Sequence, residues 1–207
     1  MAKKKTDEDL PEEPWQHTQV EVTAIIKGVT KYSSSRHHDT PHTPNESEDD
    51  FAKRTYREFL HVDSQGQVFI PGAAFKFALL GAGSHLREKV PGKTGSEWTG
   101  YFRRGVQPVG DLMLGIKKDS EKIFCESVYC HANGNRTSGS RVTRYYPVIH
   151  EWGGQMRFMI YDGLLTQDIF TRYMHAAGIF NGVGRYAPRV GGNNGVFNLV
   201  DLKWKPM

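Results

Sequence analysis

The densest chemistry in this chain lies near its C-terminal end. Residues 178–195 (GIFNGVGRYAPRVGGNNG) hold six glycines, with Arg185, Tyr186 and Arg189 among them. Glycines let a backbone approach a ligand closely and aim successive N–H groups at an anion. Two forked guanidinium groups add phosphate donors, and a tyrosine offers a face for a base. No Gly-Lys-Ser/Thr closes the run, so it is not a P-loop. It follows a helical pattern rather than a strand, so it is not a dinucleotide fingerprint either. The plainer alternative is a connector whose arginines are incidental.

A second cluster is Arg136, Arg141 and Arg144 with Tyr145 and Tyr146, on a segment low in acid. Basic residues interleaved with aromatics suit a single strand, charge following the backbone and rings taking bases; they also serve simply to keep a hairpin soluble. Arg54, Arg57, Lys76, Arg103 and Arg104 form a looser third group, each readable as a solvated charge. Of nine histidines, His37, His38 and His42 crowd beside Asp39. A histidine pair can act as base and acid on a ribose 2′-hydroxyl, which makes His37, His38 and Asp39 the catalytic candidates. They sit where the sequence predicts mobility, and catalysis needs held geometry. No H-E-x-x-H, G-x-S-x-G or paired-carboxylate motif occurs. The expectation is a protein without catalysis, cofactor or metal.

Elements must position these groups, and 207 residues suffice for one domain. At 38% hydrophobic and 12% aromatic the chain can fill a core, and no apolar run is long enough to span a bilayer. The N-terminus has charge without an apolar stretch behind it, unlike a secretory signal. Cys125 and Cys130 are too few for a disulfide framework. Five apart on one strand, they face opposite ways and read as free thiols of a cytoplasmic protein. The formal charge of +4 conceals an asymmetry. Residues 1–14 carry −2 and residues 32–50 carry −4, both without apolar period; set aside, they leave +10 on the rest. A basic body of this size favours an anionic partner, above all nucleic acid.

Residues 19–31 alternate as a strand with one buried face. Residues 32–50 are expected as a flexible insert, and 52–60 leave strand and helix open. Residues 66–70 read as a strand, and Pro71-Gly72 opens a helix over 73–89. Its buried stripe is Phe75, Leu79 and Ala82, widened by Phe77, Ala78 and Leu86; Gly81 and Gly83 suggest close approach by another backbone. Residues 91–100 read as loop and 101–132 as β structure. Residues 123–131 and 141–149 make a long hairpin with its tip at 133–140, and 155–161 a further strand. Thr166 is an N-cap candidate for a second helix, with Asp168 in the first turn and a Leu165–Phe170 staple. That helix is expected to end on a left-handed Gly178. Residues 196–204 are the last strand. This order predicts an α+β fold: a ferredoxin-like, RRM-like antiparallel sheet with two main helices, a long β-hairpin and the insert after the first strand. The domain reading is a tail, 1–14, and a single nucleic-acid-binding domain, 15–207.

Three features together resemble the RAMP superfamily of CRISPR-associated proteins, in particular the backbone subunits that coat guide RNA. One is the strand running into Val68-Phe69-Ile70-Pro71-Gly72-Ala73-Ala74-Phe75-Lys76, similar to the family's IPG-S-S-L-K-G lead-in to its first helix. The others are the glycine-rich stretch 182–195 before the last strand, and the β-α-β order with a large insertion after the first strand. The chain also looks like small phage-encoded proteins. The resemblance implies an RNA-recognition-like fold, assembly side by side along a strand, and contacts from Lys76, Arg185, Tyr186 and Arg189. The family's Ser-Ser-Leu is Ala-Ala-Phe here, so hydroxyl contacts from those positions are absent. The leading expectation is a non-enzymatic protein binding single-stranded RNA or DNA, as a homo-oligomer or beside related RAMP subunits, and no membrane. The alternatives are a RAMP-type metal-independent endoribonuclease and a phage mimic of a CRISPR subunit.

Overall fold

The computed structural model describes residues 19–132 and 139–207. Its centre is β1 (Val20–Gly28), which buries Val20, Val22, Ala24 and Ile26 and turns the intervening residues outward. That alternation is what a half-buried strand requires. Antiparallel partners flank it: β8 (Gly153–Ile160) on one side and β9 (Phe197–Pro206) on the other. The strand β4 (Val106–Val109) completes the order β4-β8-β1-β9. The helices α2 (Gly72–Leu86) and α4 (Gln167–Ala176) cover the inner face, where Phe75 meets Phe197 and Phe170 meets Phe158 edge-on. The path β1-α2-β4-β8-α4-β9 through that sheet is the split βαβ arrangement of ferredoxin-like domains, so the fold is α+β as the sequence predicted.

Two smaller sheets extend it. β3 (Gln67–Ile70) pairs with β5 (Leu112–Lys117). The long hairpin β6 (Ile123–His131) and β7 (Arg141–Ile149) is joined at its base by the two-residue β2 (Tyr32–Ser33). Among the described residues no helix is long and apolar enough to cross a membrane.

Several expectations change in detail. Both ends of the stretch 32–50 belong to elements. Tyr32 is buried in the core, and burial pushes its phenol up to about 12. The acidic run at the other end is the first turn of α1 (Glu48–Thr55), where carboxylates suit the positive end of the helix and the Ser47 side chain accepts from the Asp50 N–H. A 3₁₀ turn, Tyr56–Phe59, follows, so residues 52–60 are helical. α2 ends at Leu86, three residues short, on a left-handed Arg87. Phe77 stands 68% exposed rather than in the stripe, because it lies two residues from Phe75 and hence on another side of the helix. Residues 98–105, expected as loop and strand, are α3 (Trp98–Gly105); its Trp98, Phe102 and Gly105 share the buried side.

Thr166 does cap α4, its hydroxyl accepting from the Ile169 N–H. Gly178 does not end it: the chain winds on through a π-helical turn, Ala177–Asn181, and the left-handed glycine is Gly182. Gly178 is needed for another reason, since a Cβ there would collide with the Phe197 carbonyl of β9. Gly178→Ala should therefore cost about 3 kcal/mol in urea unfolding. Gly100→Ala, within α3 and facing open space, should instead gain about 0.5–1 kcal/mol.

Candidate nucleic-acid interface

The glycine-rich loop is sewn to the chain just after β1. Gly195 donates to the Lys31 carbonyl and Arg185 to that of Ser33, each at 2.8 Å. A Cβ on Gly184 would collide with Ser33 and the Tyr32 ring, and one on Gly195 with the Val183 carbonyl. These glycines permit backbone contact. The N–H groups of Gly182, Val183, Arg185, Gly191, Gly192 and Gly195 are all bonded internally, so these amides are not free to hold an anion. What the loop presents is side chains.

The seam encloses a groove of about 510 Å³. The loop contributes Gly184, Arg185 and Arg189; the stretch after β2 contributes Ser34, Arg36 and His37; α2 contributes Ala74 and Phe77; His61 closes one wall. No carboxylate lines it. The Arg185 guanidinium lies 3.4 Å from the Tyr146 ring centre and 4.5 Å from that of Tyr186, and pairs with no acid among the described residues. Stacked this way it keeps its edge donors for a ligand. Tyr186 holds a left-handed φ of 57°, unusual for a ring-bearing residue. Arg189 instead ties the loop, donating to the Gly182 and Gly184 carbonyls at 3.2 and 3.1 Å. Burial first, then the nearby charge of Arg36, holds His61 below the ordinary imidazole value.

The remaining sequence candidates divide. Arg54 grips Glu46 with two bonds of 2.6 and 2.9 Å and the Pro41 carbonyl at 3.0 Å. Arg57 donates to the Lys118, Ser120 and Ile123 carbonyls, holding the base of the hairpin. Lys76 reaches Gln107 of β4 at 3.5 Å, away from the groove. Tyr145 donates to Asp49, Arg144 to the Ala132 carbonyl, and Arg141 lies over Tyr129. Arg136 falls outside the described residues. Arg103 and Arg104 stand exposed at the end of α3, beside a different cavity.

The three clustered histidines separate. His37 lies in the groove wall with Asp39 at 2.9 Å, while His38 packs edge-on against Phe59 and His42 stacks on Phe51 at 3.8 Å. Among the described residues no three His, Cys, Asp or Glu side chains gather as a metal site. Sequence reading missed Arg36, His61 and Phe77. The spacing of Phe75 and Phe77 was a usable signal for the last; the other two carry none.

In the comparisons with known proteins, a family model described as "Geobacter CxxxxCH...CXXCH motif" matches residues 124–157. Cys125, Cys130 and His131 supply its first half; with two cysteines in the chain, the CXXCH half has no counterpart. No curated protein matches the sequence. Among solved structures, the chain is similar to one in the cryo-EM structure of the Type III-B Cmr-beta bound to cognate target RNA. The TM-score is 0.54 at 12% identity, over 91% of this chain and 61% of that one. It also aligns with Cmr6 from Pyrococcus furiosus, with TM-score 0.45 and 12% identity, over 88% of this chain and 99% of that one. At such identity the first likeness concerns the fold, and this chain spans 61% of that partner's length.

The Arg54–Glu46 clamp has a pH signature. The Glu46 side chain is 6% exposed, and the Arg54 bond, then the Thr43 N–H, lower its carboxyl from 4.5 to about 2. A carboxyl depressed on folding adds stability that is fully present above pH 4.5 and disappears as pH falls through about 2. Hydrogen exchange over residues 36–46, corrected for intrinsic rates, should therefore rise across that window before the core opens. Glu46→Gln should show the raised exchange already near neutral pH.

Proposed function

We propose that this chain is a non-enzymatic single-stranded nucleic-acid-binding protein, with RNA as its ligand, seated in the groove between the glycine-rich loop, the stretch after β2 and α2. One observation carries the reading. Three distant segments converge on a space that holds Arg36 and Arg185, unpaired among the described residues, beside the exposed ring of Phe77, with no carboxylate in the lining. Guanidinium groups supply phosphate donors, and Phe77 and Tyr186 supply stacking faces, the combination that single strands require. The likeness of fold to a chain from a Cmr assembly bound to target RNA supports it. So does the basic balance of the body outside residues 1–14 and 32–50. The binding unit is one domain over residues 15–207, working in the cytoplasm as copies side by side or beside related RAMP subunits. Interfering with a CRISPR assembly as a subunit mimic would use the same groove.

The roles differ from those read in the sequence. Arg185 and Arg36 contact phosphate, Tyr186 and Phe77 stack, and Arg54, Arg57 and Arg189 hold the segments that form the walls. Metal-independent RNA cleavage is the second reading. It is favoured by one arrangement: His37, with Asp39 at 2.9 Å, and the imidazole of His61, held toward its neutral form, line the same groove.

Binding to labelled single-stranded RNA should be steeply salt-dependent. Arg36→Ala with Arg185→Ala should weaken it at least about tenfold across unrelated sequences and flatten the salt slope by about 1.4. Phe77→Ala should lose about 1–3 kcal/mol of the binding free energy. Absence of binding at low salt would overturn the reading. Labelled RNA incubated with the protein in chelator should remain intact; cleavage lost in His61→Ala would establish the second reading instead.

A further inference from the structure

Five arginines on the body of the protein are already engaged. Arg54 holds Glu46, Arg157 reaches Glu21, Arg172 pairs with Glu88, and Arg57 and Arg189 bind carbonyls. Arg87, Arg103 and Arg104 are different. Among the described residues none of the three has a carboxylate or carbonyl partner, and all three line one cavity of about 690 Å³. It opens at the C-terminal end of α2, against α3, and Ser84 and Ser96 share the lining. The Thr99 Oγ1 atom is fully covered against Gly83, where it packs α3 onto α2. Arg87 ends α2 in the left-handed conformation, φ 50°, a position that helices usually give to glycine. Two carboxylates share the lining: Glu97 pairs with Lys89 at 2.8 Å and also lies in the field of Arg87, and Asp162 accepts from the Leu164 N–H, so the three guanidiniums outnumber the acids by one.

The cavity and the groove are joined by one helix face. Phe77 in the groove and Ser84 in the cavity are both exposed and lie two turns apart, so they project from the same side of α2. Their separation along the axis is about 10 Å, roughly three nucleotides at stacked spacing. We propose that the Arg87–Arg103–Arg104 cavity is a phosphate site that takes the backbone of the same single strand as it leaves the groove along α2. This rests on the groove reading and assigns the strand its path: bases on Phe77, then phosphates passing Ser84 into the three guanidiniums. Phosphodiester and free phosphate share the chemistry that would fill the cavity, so the test separates them.

The full chain is titrated with labelled single-stranded oligonucleotides of about three nucleotides, too short to reach from Phe77 into the cavity, and of about fifteen, and separately with inorganic pyrophosphate. The variants are Arg103→Ala with Arg104→Ala, and Arg87→Gly, which accepts the left-handed cap without strain and so keeps α2 intact. The longer strand should lose about tenfold in affinity, and its salt slope about 0.7 per phosphate contact removed, while the shorter strand is unchanged. Wild-type affinity for both lengths in every variant overturns the proposal. So does loss of pyrophosphate binding with the longer strand retained, which makes the cavity a small-ligand site. If Arg36→Ala with Arg185→Ala weakens both lengths while the cavity variants change neither, the groove reading stands and the strand path fails. If the wild-type protein binds neither length, the groove reading fails and the strand path fails with it.

Discussion

Backbone contact between residues 31–33 and the glycine-rich loop is the constraint on which the candidate site rests. Gly184 lies against the Ser33 carbonyl and the Tyr32 ring, and the amides of Arg185 and Gly195 donate across the join. A side chain at Gly184 would hold the two segments apart, and one at Gly195 would force the loop itself open at Val183; either way the groove would lose one wall. Trp152 reinforces the same place, its indole donating to the Thr30 carbonyl at 2.7 Å and its ring set against Tyr32 and Phe197. The glycines thus serve assembly of the site, and the chemistry falls to the side chains between them.

Around that seam, charge is divided between scaffold and surface. Arg57 and Arg189 donate to backbone carbonyls of neighbouring segments, and Arg54 fixes the stretch after β2 through Glu46. Buried carbonyls need donors, and a guanidinium can satisfy several at once. Only once those obligations are met are Arg36 and Arg185 at one end of α2, and Arg87, Arg103 and Arg104 at the other, open to solvent-borne anions. A count of basic residues therefore overstates the positive charge left free at the surface.

Legibility in the sequence followed the range of the forces involved. The alternation of Val20, Val22, Ala24 and Ile26, the Thr166 cap and the hairpin from Ile123 to Ile149 are local patterns, and each appears in the structure. The length of α4 was misjudged because Gly178 matched a C-cap in type. It was selected instead by crowding against Phe197, a contact made nineteen residues later. Asp49 and Asp50 resembled a solvated acid run because a helix N-terminus and a charged loop have the same composition. Arg57 gave no hint of its scaffold role, since its acceptors are carbonyls beyond residue 117. The groove was half legible: Arg185 and Tyr186 stood out among glycines, whereas Arg36, His61 and Phe77 become neighbours only through the fold.

The stacking of Arg185 on Tyr146 ties two parts of the molecule that the chain keeps far apart. Tyr146 lies on β7, near the base of the hairpin arm, and its ring also touches Phe59 behind it. A ligand that draws the guanidinium toward itself competes with that ring for the same cation. If the groove takes a ligand as proposed, its occupancy and the posture of the arm would be coupled, in both directions. A partner gripping the arm would then adjust the grip on the ligand without touching it.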